Sequence, residues 1–149
     1  MKKTLAFVMF IVLLLGLSGC NQDVTITLPF EVTDVESIES YYDDGMSSTV
    51  QKKTTTKSTD IEELYTFFTE LSLQDKDSSS SDCERTARFV FILSDGTSYE
   101  LVYVNEAVKK GRLMSPSGEF DYFTSADLCG VWEGLSGEIE AIVKDNTAK

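Results

Sequence analysis

The sequence predicts an α+β domain, an antiparallel sheet of about five to six strands with its helices on one face, in the order ββαββββα. Three observations lead there. Ile61, Leu64, Tyr65, Phe68 and Leu71 recur at helical spacing. Residues 88–94 and 97–105 are rich in Phe, Val, Ile and Tyr and meet at Asp95-Gly96, a dipeptide that permits the positive φ angles of a tight hairpin turn. Leu128, Trp132, Leu135, Ile139 and Ile142 then share one stripe of a closing helix. Strands joined by short turns, with helices set apart from them, favour helices packed against an antiparallel sheet.

In chain order, Val24-Thr25-Ile26-Thr27-Leu28-Pro29-Phe30 alternates apolar with polar residues as a half-buried strand does. Pro29 has no N–H for a ladder, so residues 20–34 read as an edge strand or tether, and the folded domain as residues 35–144 with a tail at 145–149. Residues 35–42 form a strand that stops at the turn signal Asp43-Asp44-Gly45. Residues 50–57, rich in Thr and Lys without an apolar face, suit a solvent-facing edge strand. Thr59-Asp60-Ile61-Glu62 has the capping-box pattern, which starts a helix over 60–71.

A polar loop, 74–82, leads to the hairpin. A two-residue turn would set Ile92 opposite Tyr99 and Val90 opposite Leu101, with Phe89, Phe91 and Val102 on the reverse side. Both sides are apolar, which places these strands near the middle of the sheet, partly covered on each face. A second hairpin joins 112–114 to 120–123 through the turn formers Ser115-Pro116-Ser117-Gly118. Ser125 caps the closing helix, and Gly130, Gly134 and Gly137 each weaken it by about 1 kcal/mol relative to alanine. A break near Gly137 is expected.

The N-terminus is organised differently. Lys2 and Lys3 precede an apolar run from Leu5 to Leu15, too short for a hydrocarbon layer that needs about 20 residues. Small residues follow, and Leu17-Ser18-Gly19-Cys20 resembles the lipobox of bacterial lipoproteins. The resemblance implies that residues 1–19 are a cleaved signal peptide and that Cys20 carries a diacylglycerol. It further implies a lipid-anchored protein on the extracytoplasmic face of the cell membrane, part of the cell envelope. An ordinary secretory signal or an uncleaved anchor are the alternatives. If residues 20–34 were wholly disordered, their typical reach would be about 20 Å, holding the domain near the bilayer. The capped helix, the Asp95-Gly96-Thr97-Ser98-Tyr99 hairpin and the closing helix are similar to those of small Gram-positive lipoproteins of unknown function, and loosely to TATA-binding-protein-like folds. That likeness implies no substrate and no catalytic residue.

Lys2 and Lys3 leave with the leader while no acid does, so 13 basic residues become 11 against 25 acidic ones, a net of −14. Such a charge repels nucleic acid and anionic head groups, which leaves the lipid at Cys20 to hold the membrane. The chain has no histidine, which excludes imidazole-assisted serine or cysteine hydrolysis and histidine-ligated zinc. Carboxylate chemistry stays open at Asp43-Asp44 and at Glu119 with Asp121. Asp75, Asp77, Ser79 and Asp82 have calcium-like spacing, but Ser80 stands where an EF-hand has glycine and Thr86 where it has glutamate. No catalytic, cofactor or metal residue is assigned, and no cofactor is expected.

Cys83 and Cys129 either pair, joining helix to sheet and adding about 4 kcal/mol through loop-closure entropy, or stay as separate thiols. Trp132, Phe89, Phe91 and Phe68 read as core. Tyr41, Tyr42, Tyr99, Tyr103 and Tyr122 are candidates for a recognition surface on the sheet face opposite the helices. The basic knot Lys109-Lys110-Gly111-Arg112 is a possible contact or a solvated loop. The expected function is therefore a membrane-tethered binding or interaction module for an unidentified protein or envelope ligand, with a carboxylate enzyme or an envelope assembly factor as alternatives.

Overall fold

Alternating side chains in the long strands decide the architecture. In the computed structural model, which describes residues 23–76, 85–107 and 109–144, Ala87, Phe89 and Phe91 are fully buried while the intervening Arg88 is exposed. They lie on β5 (Thr86–Leu93), and on β6 (Ser98–Ala107) Leu101, Tyr103 and Asn105 are buried in the same rhythm. Partners across the ladder share a face: Ala87 with Tyr103, Phe89 with Leu101, Phe91 with Tyr99. On the other flank of β5 the strand β2 (Val35–Asp43) adds Ile38, Ser40 and Tyr42 to that face.

Six further strands complete the sheet: β1 (Asp23–Val24), β3 (Thr49–Thr55), β4 (Leu73–Gln74), β7 (Lys110–Met114), β8 (Asp121–Thr124) and β9 (Glu140–Val143) join those already named. Among the described residues the order is β1-β4-β8-β7-β6-β5-β2-β3-β9, every neighbouring pair antiparallel. Two helices, α1 (Ser58–Glu70) and α2 (Leu128–Gly134), pack on the face that carries Phe89. Phe68 of α1 meets Phe89 and Phe91 edge-on, at centroid distances of 5.0 and 5.9 Å, and Trp132 of α2 stacks on Tyr42 at 5.0 Å. The fold is thus a mostly-sheet α+β domain. Nine strands replace the expected five to six, because β1, β4 and β9 add to the ββαββββα order.

The hairpin register is one residue from expectation. Leu93 N–H donates to the Thr97 carbonyl and Gly96 N–H to the Leu93 carbonyl, so Ser94, Asp95 and Gly96 form a three-residue loop with Gly96 at φ +85°. A turn ending on a left-handed glycine is the usual solution for that loop length. The shift moves every partner: Phe89 and Phe91, not Val90 and Ile92, face Leu101 and Tyr99. The strands do hold the fifth and sixth places of nine, but the helices cover only one face.

Both helix starts differ from the sequence reading. The capping box is not made in α1: Lys57 is the N-cap without a side-chain bond, and the Thr59 hydroxyl donates to the Asp60 carboxylate. Asp60 in the first turn still suits the helix dipole. In α2 the cap is Asp127 rather than Ser125, its carboxylate accepting from Gly130 N–H at 3.0 Å.

The closing helix is also shorter. It ends at Gly134, and Gly137 at φ +127° turns the chain outward, so residues expected on a helical stripe become β9. Ile139 and Ile142 are consequently 58% and 37% exposed. What ends α2 is Lys53 of β3, buried to 5% exposure, whose ammonium donates to the carbonyls of Trp132, Glu133 and Leu135 at 3.0, 3.1 and 2.9 Å. It also lies 4.3 Å from the Trp132 ring centroid. A helix C-terminus leaves carbonyls short of partners, and one lysine donates to three here, of which that of Trp132 also accepts from the Leu135 N–H.

The stretch read as edge strand or tether packs into the domain. Ile26, Leu28 and Phe30 are buried on alternate positions, although only Asp23–Val24 enters a ladder. The Phe30 ring lies 5.3 Å from Phe91 and 5.6 Å from Tyr99, and its carbonyl accepts from the Tyr65 hydroxyl at 2.8 Å. This segment and the two helices therefore cover the same side of the sheet.

Candidate functional site: the uncovered face of the sheet

With those elements on one side, the opposite face has no helix over it. Strand alternation places Val90 and Ile92 of β5, Val102 and Val104 of β6, and Met114 of β7 there, all half-buried. Arg88 pairs with Val102, and Met114 stands opposite both Val102 and Asp121. The result is a belt of aliphatic side chains across the centre of the sheet with charges set among and beside them: Val90 stands opposite Glu100 and Glu39, and Val104 opposite Arg112.

On one flank the charges form a network around Tyr41. Its hydroxyl donates to Glu39 at 2.6 Å, Lys52 donates to the same carboxylate at 2.7 Å, and the Arg88 guanidinium lies 4.1 Å over the Tyr41 ring. Arg88 also pairs with Glu100 at 3.6 Å. The Lys52 bond, then the Tyr41 bond, lowers the Glu39 pKa, while burial and the Glu39 bond raise that of Tyr41. For Glu39 the folded value lies below the unfolded one. Its contribution to stability is present above the ordinary glutamate range and is lost as pH falls through the lowered value. On the other flank Arg112 holds Asp121 at 2.7 Å and donates to the Lys76 carbonyl, and the Lys76 ammonium lies 5.0 Å from the Phe123 ring. Cations on this face are matched by anions, so the belt lies in a locally balanced patch of a strongly acidic chain.

Most of the tyrosines expected here lie elsewhere. Tyr42, Tyr99, Tyr103 and Tyr122 fall on the helix-covered side, in register with Ala87, Phe91 and Leu113, and Tyr103 is fully buried. Burial, with a bond to Glu119, pushes the Tyr99 pKa up to about 12, and burial does the same for Tyr103. Tyr41 alone of the five is on the uncovered face. The reason is alternation: adjacent Tyr41 and Tyr42 must point to opposite sides of one strand.

The carboxylate candidates are taken up by local structure. Asp43 accepts from Gly45 N–H and from Lys144, each at 2.7 Å. Asp44 accepts from the Ser47 hydroxyl and from Ser47 and Met46 N–H, which lower its pKa to about 2. Glu119 accepts from Tyr99, and Asp121 from Arg112. Among the described residues no group of three or more acids or cysteines is arranged to hold a metal ion. Of the calcium-like set, Asp77, Ser79 and Asp82 lie outside the described residues, as do Cys20 and Cys83; Cys129 is buried on α2. In the basic knot, Lys109 makes the turn between β6 and β7 at φ +55° and Arg112 joins the flank network.

One feature had no sequence signal. A cleft of about 300 Å³ lies between α1 and α2, with Leu64, Phe67, Val131 and Leu135 in its wall and Ser136 donating to Asp60 at 2.8 Å beside it. The buried Thr55 hydroxyl and Trp132 indole N–H have no hydrogen-bond partner among the described residues.

No protein-family model matches this chain, and no curated protein or solved structure matches it. Among the described residues no helix is long and apolar enough to cross a membrane.

Proposed function

We propose that this protein is a lipid-anchored, extracytoplasmic binding module that engages a protein partner through the uncovered sheet face. The observation that carries the reading is the one-sided cover: two helices and the N-terminal segment bury the Phe89 side, while Val90, Ile92, Val102, Val104 and Met114 form a belt on the other. Aliphatic side chains set among paired charges, Arg88 with Glu100 and Arg112 with Asp121, suit a protein-binding patch. A carboxylate enzyme has less support, because Asp43, Asp44, Glu119 and Asp121 each serve a turn or an ion pair.

The anchor part of the proposal rests on Cys20 in its lipobox setting and on the distance to the fold. Asp23, the first ladder residue among those described, stands three positions later, and a chain of that length spans at most about 11 Å. The domain would sit against the bilayer rather than on a long stalk.

Photo-crosslinking in intact membranes tests the binding face. A photoreactive residue in place of Val102 is expected to capture one discrete protein, and one in place of exposed Glu63 on α1 is not. Equal capture from both positions, or none from Val102, contradicts the assignment.

A further inference from the structure

We propose that β9 is a self-complementary sheet edge through which two copies of this chain pair antiparallel, joining their sheets into one. Among the described residues β9 ends the sheet, with nothing paired to its outer side. Natural edge strands are usually blunted by charge, proline or a bulge. Here Ile139, Ile142 and Val143 are 58%, 37% and 76% exposed, three of the four most exposed large apolar residues described.

The backbone settles which groups point outward. Lys144 N–H donates to the Ser48 carbonyl at 3.0 Å, and β9 pairs with β3 through Val143 and Thr49, Ile142 and Val50, Ala141 and Gln51. Hydrogen-bonded pairs alternate along an antiparallel ladder. Lys144, Ile142 and Glu140 therefore turn their N–H and carbonyl groups toward β3, whereas Ala141 and Val143 turn theirs away from the sheet. In a second antiparallel copy centred on Ile142, Ala141 faces the partner's Val143 and their outward groups bond to each other.

The same register satisfies the side chains. Glu140, Ile142 and Lys144 share one face, so Ile142 lies opposite the partner's Ile142 and each Glu140 opposite the partner's Lys144, whose ammonium, held by Asp43 of its own chain at 2.7 Å, would then bridge two carboxylates. Opposite charges directly across a ladder stabilise it, and like charges do not. The strand reads acid, apolar, base from its N-terminal end and an antiparallel copy reads base, apolar, acid beside it, so each acid meets a base across the ladder. The two-fold axis runs normal to the sheet, so both uncovered faces end on the same side. This pairing depends on neither the lipid nor the belt, and its failure would leave the proposed function standing.

The test uses the full chain, extracted from membranes in detergent. Cα atoms of directly opposed, non-hydrogen-bonded residues lie about 4.5 Å apart, within disulfide range. Ile142→Cys should become a disulfide-linked dimer under mild oxidation, and Glu63→Cys, on the exposed surface of α1, should not. Val143→Pro removes only an outward N–H, so it should halve the sedimenting mass relative to wild type while the far-ultraviolet circular dichroism is kept. A monomeric wild type, or Ile142→Cys linking no better than Glu63→Cys, would overturn the pairing.

Discussion

Phe89→Ala is expected to lower the free energy of unfolding by about 3–5 kcal/mol, the range for removing a fully buried aromatic side chain. Phe89 is 0% exposed at the centre of the sheet, between Ser40 on β2 and Leu101 on β6, with the Phe68 ring edge-on above it. The β-sheet backbone on both sides and the helix above restrain the site from collapsing into the vacated space. Loss on this scale is a large part of the stability of an ordinary domain. Urea denaturation followed by tryptophan fluorescence measures it directly, because Trp132 is the only tryptophan. A loss below about 1 kcal/mol, the scale of a surface substitution, would show that Phe89 is not where the core is anchored.

Lys53→Met is expected to cost about 1–3 kcal/mol, the penalty for leaving buried acceptors without donors. Methionine keeps much of the stem that passes Trp132, and the Trp132 carbonyl keeps the Leu135 N–H at 3.2 Å, so the loss reports chiefly the Glu133 and Leu135 carbonyls. The pH dependence has a defined sign. Burial pulls the Lys53 pKa below the ordinary lysine value. Between that lowered value and the ordinary one, the unfolded chain binds more protons than the folded one. This residue's share of stability therefore rises with pH through that window. As pH rises toward the ordinary lysine value, denaturation midpoints should climb less, or fall more, in Lys53→Met than in wild type. Identical slopes would contradict the assignment.

How much of this was legible in the sequence depended on the length over which a pattern repeats. The six long strands and the first helix carry enough periodic residues to be read, and they occur in the chain order predicted. β1 and β4 are two residues each and have no period to detect. The last helix misled because Leu135, Ile139 and Ile142 keep helical spacing while Gly134 and Gly137 allow the chain to leave the helix; the lysine that closes it is about 80 residues away in sequence. Asp95-Gly96 marked the hairpin correctly, but a single dipeptide does not distinguish a two-residue turn from the three-residue loop found.

The site was less legible than the fold for the same physical reason. A one-residue shift in register exchanges the two faces of a strand, so the two-residue turn gives Val90 and Ile92 the wrong neighbours, and adjacent Tyr41 and Tyr42 cannot share the uncovered face whatever the register. The network of Glu39, Tyr41, Lys52 and Arg88 draws on three strands, and only the observed register brings them together. The one available signal was local: Glu39 and Tyr41 stand two residues apart on a strand and must share a face.

The anchor at Cys20 is the claim on which the placement of this domain beside a membrane depends. Intact mass spectrometry of the mature protein, isolated from the membranes of cells that process bacterial lipoproteins, tests it most directly. The expected product is a chain beginning at Cys20 with the added mass of a diacylglycerol; a chain that retains residues 1–19, or one with an unmodified Cys20, would rule the anchor out.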